Sequence, residues 1–392
     1  MAKVVNFLPS MDEDMKDYYK KIWKHRTAVI IKYVTVIVLV LFVIFGIRYY
    51  VNNRSYTGYS IASTTERNDT LTTKYAPFGD KILKYSRDGI SYTDDKNSLL
   101  FSITYTMQDP ILALSENAGA VADKNGSQIY IFNREKQLGQ ITTLLPIKQI
   151  AISNQGVAAV LMEESNSSKL EIYSAEGTLI GDGVFDLGDA GYPMNISISR
   201  DGTKIAVAFA QINGSKLNSC VAVYNFDNVG ENYVDQLVFA KNYTEYMIPE
   251  VHYFDQSVFA AVGDGILAFY QGTQIPELVQ EVTFEEEIKS VFYGEDNVGL
   301  VFDTAEGKEL KLYDMKGNLI SEISFDLDYD NIRIADNRIL IYNDTEIGLY
   351  SYSGKECFRQ TFETSMVDVF LTKSRNKYLF IYTNETQLIK LQ

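Results

Sequence analysis

Two patterns of hydrophobic and polar residues divide the chain. From Ala28 to Ile47 (AVIIKYVTVIVLVLFVIFGI) the residues are apolar all round, and Lys32 is the single charge. At a rise of about 1.5 Å per residue this run matches a hydrocarbon core of roughly 30 Å, and no polar stripe marks it as a buried soluble helix. It predicts one membrane-spanning helix over 28–50. Ahead of it Met15, Tyr18, Tyr19 and Ile22 recur at helical spacing, with Ser10 and Glu13 as a capping box, which predicts a separate short amphipathic helix in the 1–27 tail.

From about residue 51 the period changes from helical to alternating. An alternating strand ends in an aromatic, a polar turn often carrying Gly follows, and a second alternating strand comes after it. The segments beginning at Gly89, Gln128, Leu170, Leu310 and Ile347 are examples. The aromatic column runs Tyr92, Phe132, Tyr173, Tyr224, Phe269, Tyr313 and Tyr350, with Ile389 closing the series. Its intervals are about 40 residues, the spacing of propeller blades. Ahead of each pair lies another pair of strands, as in ISISRDGTKIAVAF from Ile196, whose small residues Ala206, Val207 and Ala208 suit the crowded inner part of a blade.

Four strands per repeat predict an all-β propeller over 51–392, preceded by the helix. Counting gives eight blades; seven remains the alternative, because the count depends on reading Thr72 to Gly79 as a first inner strand. The last unit, from Val367, ends after its third strand. The strand-like run within 55–66 (YTGYSIASTT from Tyr56) is therefore expected to supply the missing outer strand and close the ring. With so short a connection the propeller would lie near the bilayer.

Lys16, Lys20, Lys21, Lys24 and Arg26 precede the span, whereas Arg48 and Arg54 follow it, so the N-terminus is expected in the cytoplasm and the propeller outside. No small-residue cleavage site follows directly, which favours a retained signal anchor over a cleaved signal peptide. The formal net charge is −15, and the basic residues concentrate before the span, so the remainder is more acidic still. Nucleic acid is thereby excluded as a partner. Cys220 and Cys357 map to non-adjacent blades and are not expected to pair.

ISISRDGTKIAVAF resembles the Ser-x-Asp-Gly element of WD-like repeats in TolB-type propellers. The fuller resemblance is to the domain of unknown function 5711 family. It is carried by KILKYSRDGISYTD from Lys81, YTMQDPIL from Tyr105, GYPMNISISRDGTKIAV from Gly191, VAVYNFDNVGENYVDQLV from Val221 and IPEVHYF from Ile248. The resemblance implies a single-pass protein with an extracytoplasmic propeller in a bacterial plasma membrane. It implies no activity. In that setting the Asn-x-Ser/Thr triplets, including Asn125, Asn213 and Asn384, carry no glycosylation signal.

Candidate chemistry is sparse. His25 lies in the tail and His252 stands alone in a strand, where packing is the simpler role. A His-based triad or His-rich metal site is excluded beyond the span, and no phosphate-binding loop, dinucleotide fingerprint or nucleophile elbow occurs. Asp326, Asp328 and Asp330 are spaced as in a calcium loop, but Asn331 stands where Gly is wanted; a solvated turn between blades is the other reading. No catalytic residue, metal ligand or cofactor site is assigned. The expectation is a non-enzymatic module that binds an envelope protein or glycan and is held to the bilayer by its helix. The alternative is a carboxylate-dependent hydrolase of envelope polysaccharide, and ligand signalling through the amphipathic helix ranks third.

Overall fold

Ile205 to Phe209 is apolar at every position because both faces of an inner strand are covered. Ile205, Val207 and Phe209 pack toward the preceding blade, Ala206 and Ala208 toward the next. The same division recurs around the ring in a computed structural model that describes residues 9–392 other than Asp95, Ser215 and Glu306, with the side chains of residues 9–14, Asn213 and Lys216 also left undescribed. Eight four-stranded antiparallel sheets form, so the count of eight holds over seven. In chain order blades 1 to 7 occupy 74–104, 110–142, 147–186, 192–243, 250–283, 288–325 and 331–361. Blade 8 takes its three inner strands from 368–391, and its outer strand is Tyr59–Glu66. This closing strand runs antiparallel to Glu385–Leu391, from Tyr59 opposite Leu391 to Glu66 opposite Glu385.

The aromatic column has a structural consequence. In every blade the pairing of third and fourth strands slips by one residue beside it, for instance at Tyr92/Thr93, Ile172/Tyr173 and Leu349/Tyr350. Such bulges bend and twist the outer strand where blades diverge. The turn glycines that the repeat pattern marks are needed there. Gly177 and Gly317 adopt φ of +90° and +81° and lie against Gln140 and Gln280 of the preceding blade, closer than a Cβ would allow.

Apolar clusters fill the blade interfaces, and the thinnest is the seam between blades 8 and 1, where Ile82, Phe370, Leu379 and Ile381 meet. A buried ionic network reinforces it. Arg67, just past the closing strand, donates to Asp69, to Thr386 Oγ1 of blade 8 (3.2 Å) and to Tyr75 of blade 1. Lys84 of blade 1 reaches Asp69 Oδ2 at 2.8 Å. Burial works against the Asp69 carboxylate, but hydrogen bonds from Lys84 and Arg67 and their charges outweigh it and hold its pKa below the usual value. A folded pKa below the unfolded one means that this stabilisation is present above the ordinary carboxylate range and lost as pH falls through the depressed value. Asp69→Asn is expected to lower stability by about 1–3 kcal/mol at pH 7. In urea denaturation its deficit against wild type should shrink toward pH 3; a deficit independent of pH would contradict this account.

The chain divides into two units, Met1–Arg54 and Ser55–Gln392. The first is one helix, Pro9–Asn52, not the two separate helices expected. No Gly or Pro interrupts Lys24–Thr27, and Thr27 Oγ1 bonds back to Trp23 O at 2.8 Å, so nothing ends the helix ahead of the apolar run. Ser10 falls inside its first turn, since Pro9 takes the start, a position that suits proline. The Ser10 and Glu13 side chains lie outside the described residues. Met15–Asn52 is long and apolar enough to cross a membrane.

Candidate functional site at the channel mouth

The first strand of each blade exposes one backbone edge to the central channel, and such an edge must be satisfied or covered. Neighbouring side chains do this in blades 3 to 5. Gln149 Oε1 accepts from Ile196 N (3.1 Å), Asn195 Oδ1 from Val251 N (2.9 Å) and Ser197 Oγ from Tyr253 N (2.9 Å). The turns that follow these strands are linked in the same way. Glu116 N donates to Asn154 Oδ1 (3.1 Å), Asn154 N to Arg200 O (3.1 Å) and Arg200 N to Asp255 O (3.3 Å). Gly202, at φ +74°, lets the Arg200 turn close tightly beside Val157 of blade 3.

This belt of turns frames a cavity of about 480 Å³ at one end of the channel. Its lining combines apolar Leu114, Ile152, Ile198 and Phe254 with charged Glu116, Arg134, Arg200 and Glu295. The Arg134 guanidinium donates to Glu116 O and faces the Phe78 ring at 5.6 Å, while its Nε is buried without a hydrogen-bond partner among the described residues. The Arg200 side chain makes no ion pair among the described residues, although the cavity wall holds it.

His252 also lines the cavity. Its ring stacks on Tyr293 at 4.0 Å and meets Phe254 edge-on at 5.0 Å. Burial first, and then the Arg200 charge, lower its pKa to about 4. The imidazole is therefore neutral near pH 7 and a poor base, far from the value that suits proton transfer. Packing describes this residue, as its isolation in the sequence suggests, but the packing forms a cavity wall.

The other residues singled out in the sequence lie elsewhere. Asp326, Asp328 and Asp330 occupy the connection from blade 6 to blade 7, where strand-like alternation turns Leu327 inward and the three acids out. Asp326 pairs with Arg359 (2.6 Å) and Asp328 with Lys308 (2.7 Å). Among the described residues no group of three or more His, Cys, Asp or Glu is placed to hold a metal ion. Cys220 in blade 4 and Cys357 in blade 7 are free and buried. Sequence reasoning missed Arg134 and Arg200 as mouth residues. Each stands in a turn at the same end of its blade, a signal the repeat contains but which needs the closed ring to bring the turns together.

Fold and channel together define the class: a closed eight-bladed β-propeller with an N-terminal apolar helix and a cavity at one channel mouth. Residues 52–391 match the family of unknown function (DUF5711), and the chain belongs to that family. Among solved structures, BamB from Moraxella catarrhalis is similar with a TM-score of 0.53 at 11 % identity, covering 85 % of this chain and 100 % of that one. Saccharomyces cerevisiae Sqt1 is similar with a TM-score of 0.53 at 12 % identity, covering 87 % and 99 %. At such identities the likeness shows the propeller fold alone. No protein with a curated description matches the chain in sequence.

Proposed function

We propose that this chain is a non-catalytic binding module of the cell envelope, anchored by its N-terminal helix with the N-terminus cytoplasmic, and that its channel mouth receives an envelope protein or glycan. The observation that carries this reading is the cavity itself, lined by both apolar and charged groups, with an arginine that has no ion-pair partner among the described residues. A few placed polar groups around an apolar hollow suit recognition. The imidazole in its wall is held neutral by burial, which suits a packed wall better than a proton-transfer group.

A photo-crosslinking side chain at Glu295, exposed at the mouth, is expected to capture a discrete envelope partner in intact cells. The same group at Glu286, in the connection at the opposite end of blade 6, should not capture it. Arg200→Glu should abolish the Glu295 product. Equal capture from both ends, or capture indifferent to Arg200, would remove the channel mouth from the reading.

A further inference from the structure

In every blade the bulge described above lies at or near the start of the outer strand, and in half of them it exposes an apolar pair. Leu99, Leu179, Leu278 and Leu319, each with the residue that follows it, are 39–61 % exposed. Blades 8 and 4 add Ile61 and Leu237 at the same point. Strict alternation would turn one residue of each pair inward; the inserted residue instead leaves both open to solvent. Other exposed apolar residues, such as Leu71, Leu144 and Ile212, fall at unrelated positions of the repeat.

Equivalent positions in a radial repeat lie on one circle about the ring axis. The apolar points therefore form an interrupted rim, spread over blades 1, 3, 4, 5, 6 and 8. A protein partner of ordinary size covers roughly 800 Å² on its side of an interface, and would meet one or two blades. A plane meets them all. In blades 1, 3, 5 and 6 the pair lies within a few residues of the turn tip, and at about 3.3 Å per residue this is a depth comparable with the roughly 5–10 Å to which amphipathic surfaces enter the headgroup and acyl boundary.

Two further observations point to lipid. The chain enters the ring at this end, where Tyr56 N bonds Cys357 O (2.8 Å) and Thr57 N bonds Gln392 O (2.9 Å), and the apolar run 28–47 lies shortly before it in sequence. Charge is also unevenly placed. The opposite end carries exposed Glu285, Glu286 and Asp330 beside Glu287, Asp326 and Asp328, which pair with Lys289, Arg359 and Lys308, whereas the turns of the rim end mix carboxylates with Lys96, Lys136, Lys316 and Lys373. An anionic phospholipid surface would repel the first end more than the second.

We propose that the apolar rim is a lipid-binding surface that rests at the headgroup boundary of a bilayer. It leaves the channel mouth facing groups that project from that surface, and it stands or falls independently of what the mouth binds. The test uses the full chain in phosphatidylethanolamine and phosphatidylglycerol vesicles, in the fraction resistant to carbonate extraction. Ile180→Cys (blade 3), Ile320→Cys (blade 6) and Glu286→Cys carry an environment-sensitive nitrobenzoxadiazole label. The unsubstituted chain, whose cysteines are buried, sets the background. Emission at positions 180 and 320 is expected to shift to the blue, and nitroxide lipids should quench it several times more strongly than at position 286. Quenching at neither rim position overturns the proposal, as does quenching at only one, which would mean an edge contact. A blue shift without quenching that grows with protein density would show a second copy covering the rim, and overturns it too.

Discussion

A chain that begins at Arg67 is expected to lose its cooperative fold, whereas one that begins at Ser55 keeps it. The difference is the strand Tyr59–Glu66, which completes blade 8 along the whole of Glu385–Leu391. Without it that strand becomes an open edge, and Ile389 and Leu391, now 1 % and 2 % exposed, lose part of their cover. Tyr59 also leaves Phe362, whose ring it meets at 5.2 Å. A blade cannot be dropped singly, because blades 7 and 1 each pack on blade 8. The loss is on the order of 5 kcal/mol, against the roughly 5–15 kcal/mol that holds a typical domain together, and an unpaired edge invites aggregation. Near-UV circular dichroism and urea melts of the two truncations would show it, and a synthetic 55–66 peptide should partly restore the shorter chain. Equal midpoints for the two would mean that the ring closes without its N-terminal strand.

That strand was legible because the repeat has a fixed content. Once four strands per unit are recognised, a last unit that stops at its third strand requires a fourth from elsewhere, and the run from Tyr56 is the free candidate. Continuous apolar stretches such as Ile205 to Phe209 likewise announce burial on both faces. Contacts made only by closure were not legible. The joining of Arg67, Asp69 and Lys84 unites residues on both sides of the seam, and the cavity assembles turns from several blades. The rim is not legible in the sequence because a bulge shifts the period by one residue, so alternation alone would turn one of Leu179 and Ile180 inward. The tail departs from the expected pair of helices for a simpler reason: a change from amphipathic to apolar composition alters what a helix touches without ending it.

The Ser-Arg-Asp-Gly-Thr-Lys stretch, recognised first as a repeat signature, has a physical role that predicts the second large effect. Lys204 is wholly buried, and among the described residues its ammonium has a single carboxylate partner, Asp201, at 3.2 Å. Asp201 also accepts from Ser199 Oγ (2.5 Å), Thr203 N (3.2 Å) and Thr203 Oγ1 (2.9 Å), so one side chain ties the turn to the strand after it. Burial opposes its ionisation, but the Ser199 and Thr203 hydrogen bonds and the Lys204 charge prevail and keep its pKa below the usual value. Asp201→Ala removes the counter-charge and leaves an ammonium that water cannot reach. The expected cost is about 3 kcal/mol, the low end for breaking a buried pair, because Asp201 itself is partly open to solvent. Adding Lys204→Met to that variant should recover much of the loss, since a buried apolar stem needs no counter-charge. The carboxylate's contribution holds above the ordinary carboxylate range and disappears as pH falls through its depressed value, so the wild-type advantage over Asp201→Ala should narrow in acid. Were the double variant no more stable than Asp201→Ala, the cost would lie in the lost turn hydrogen bonds, and Lys204 would not be the charge that Asp201 holds in place.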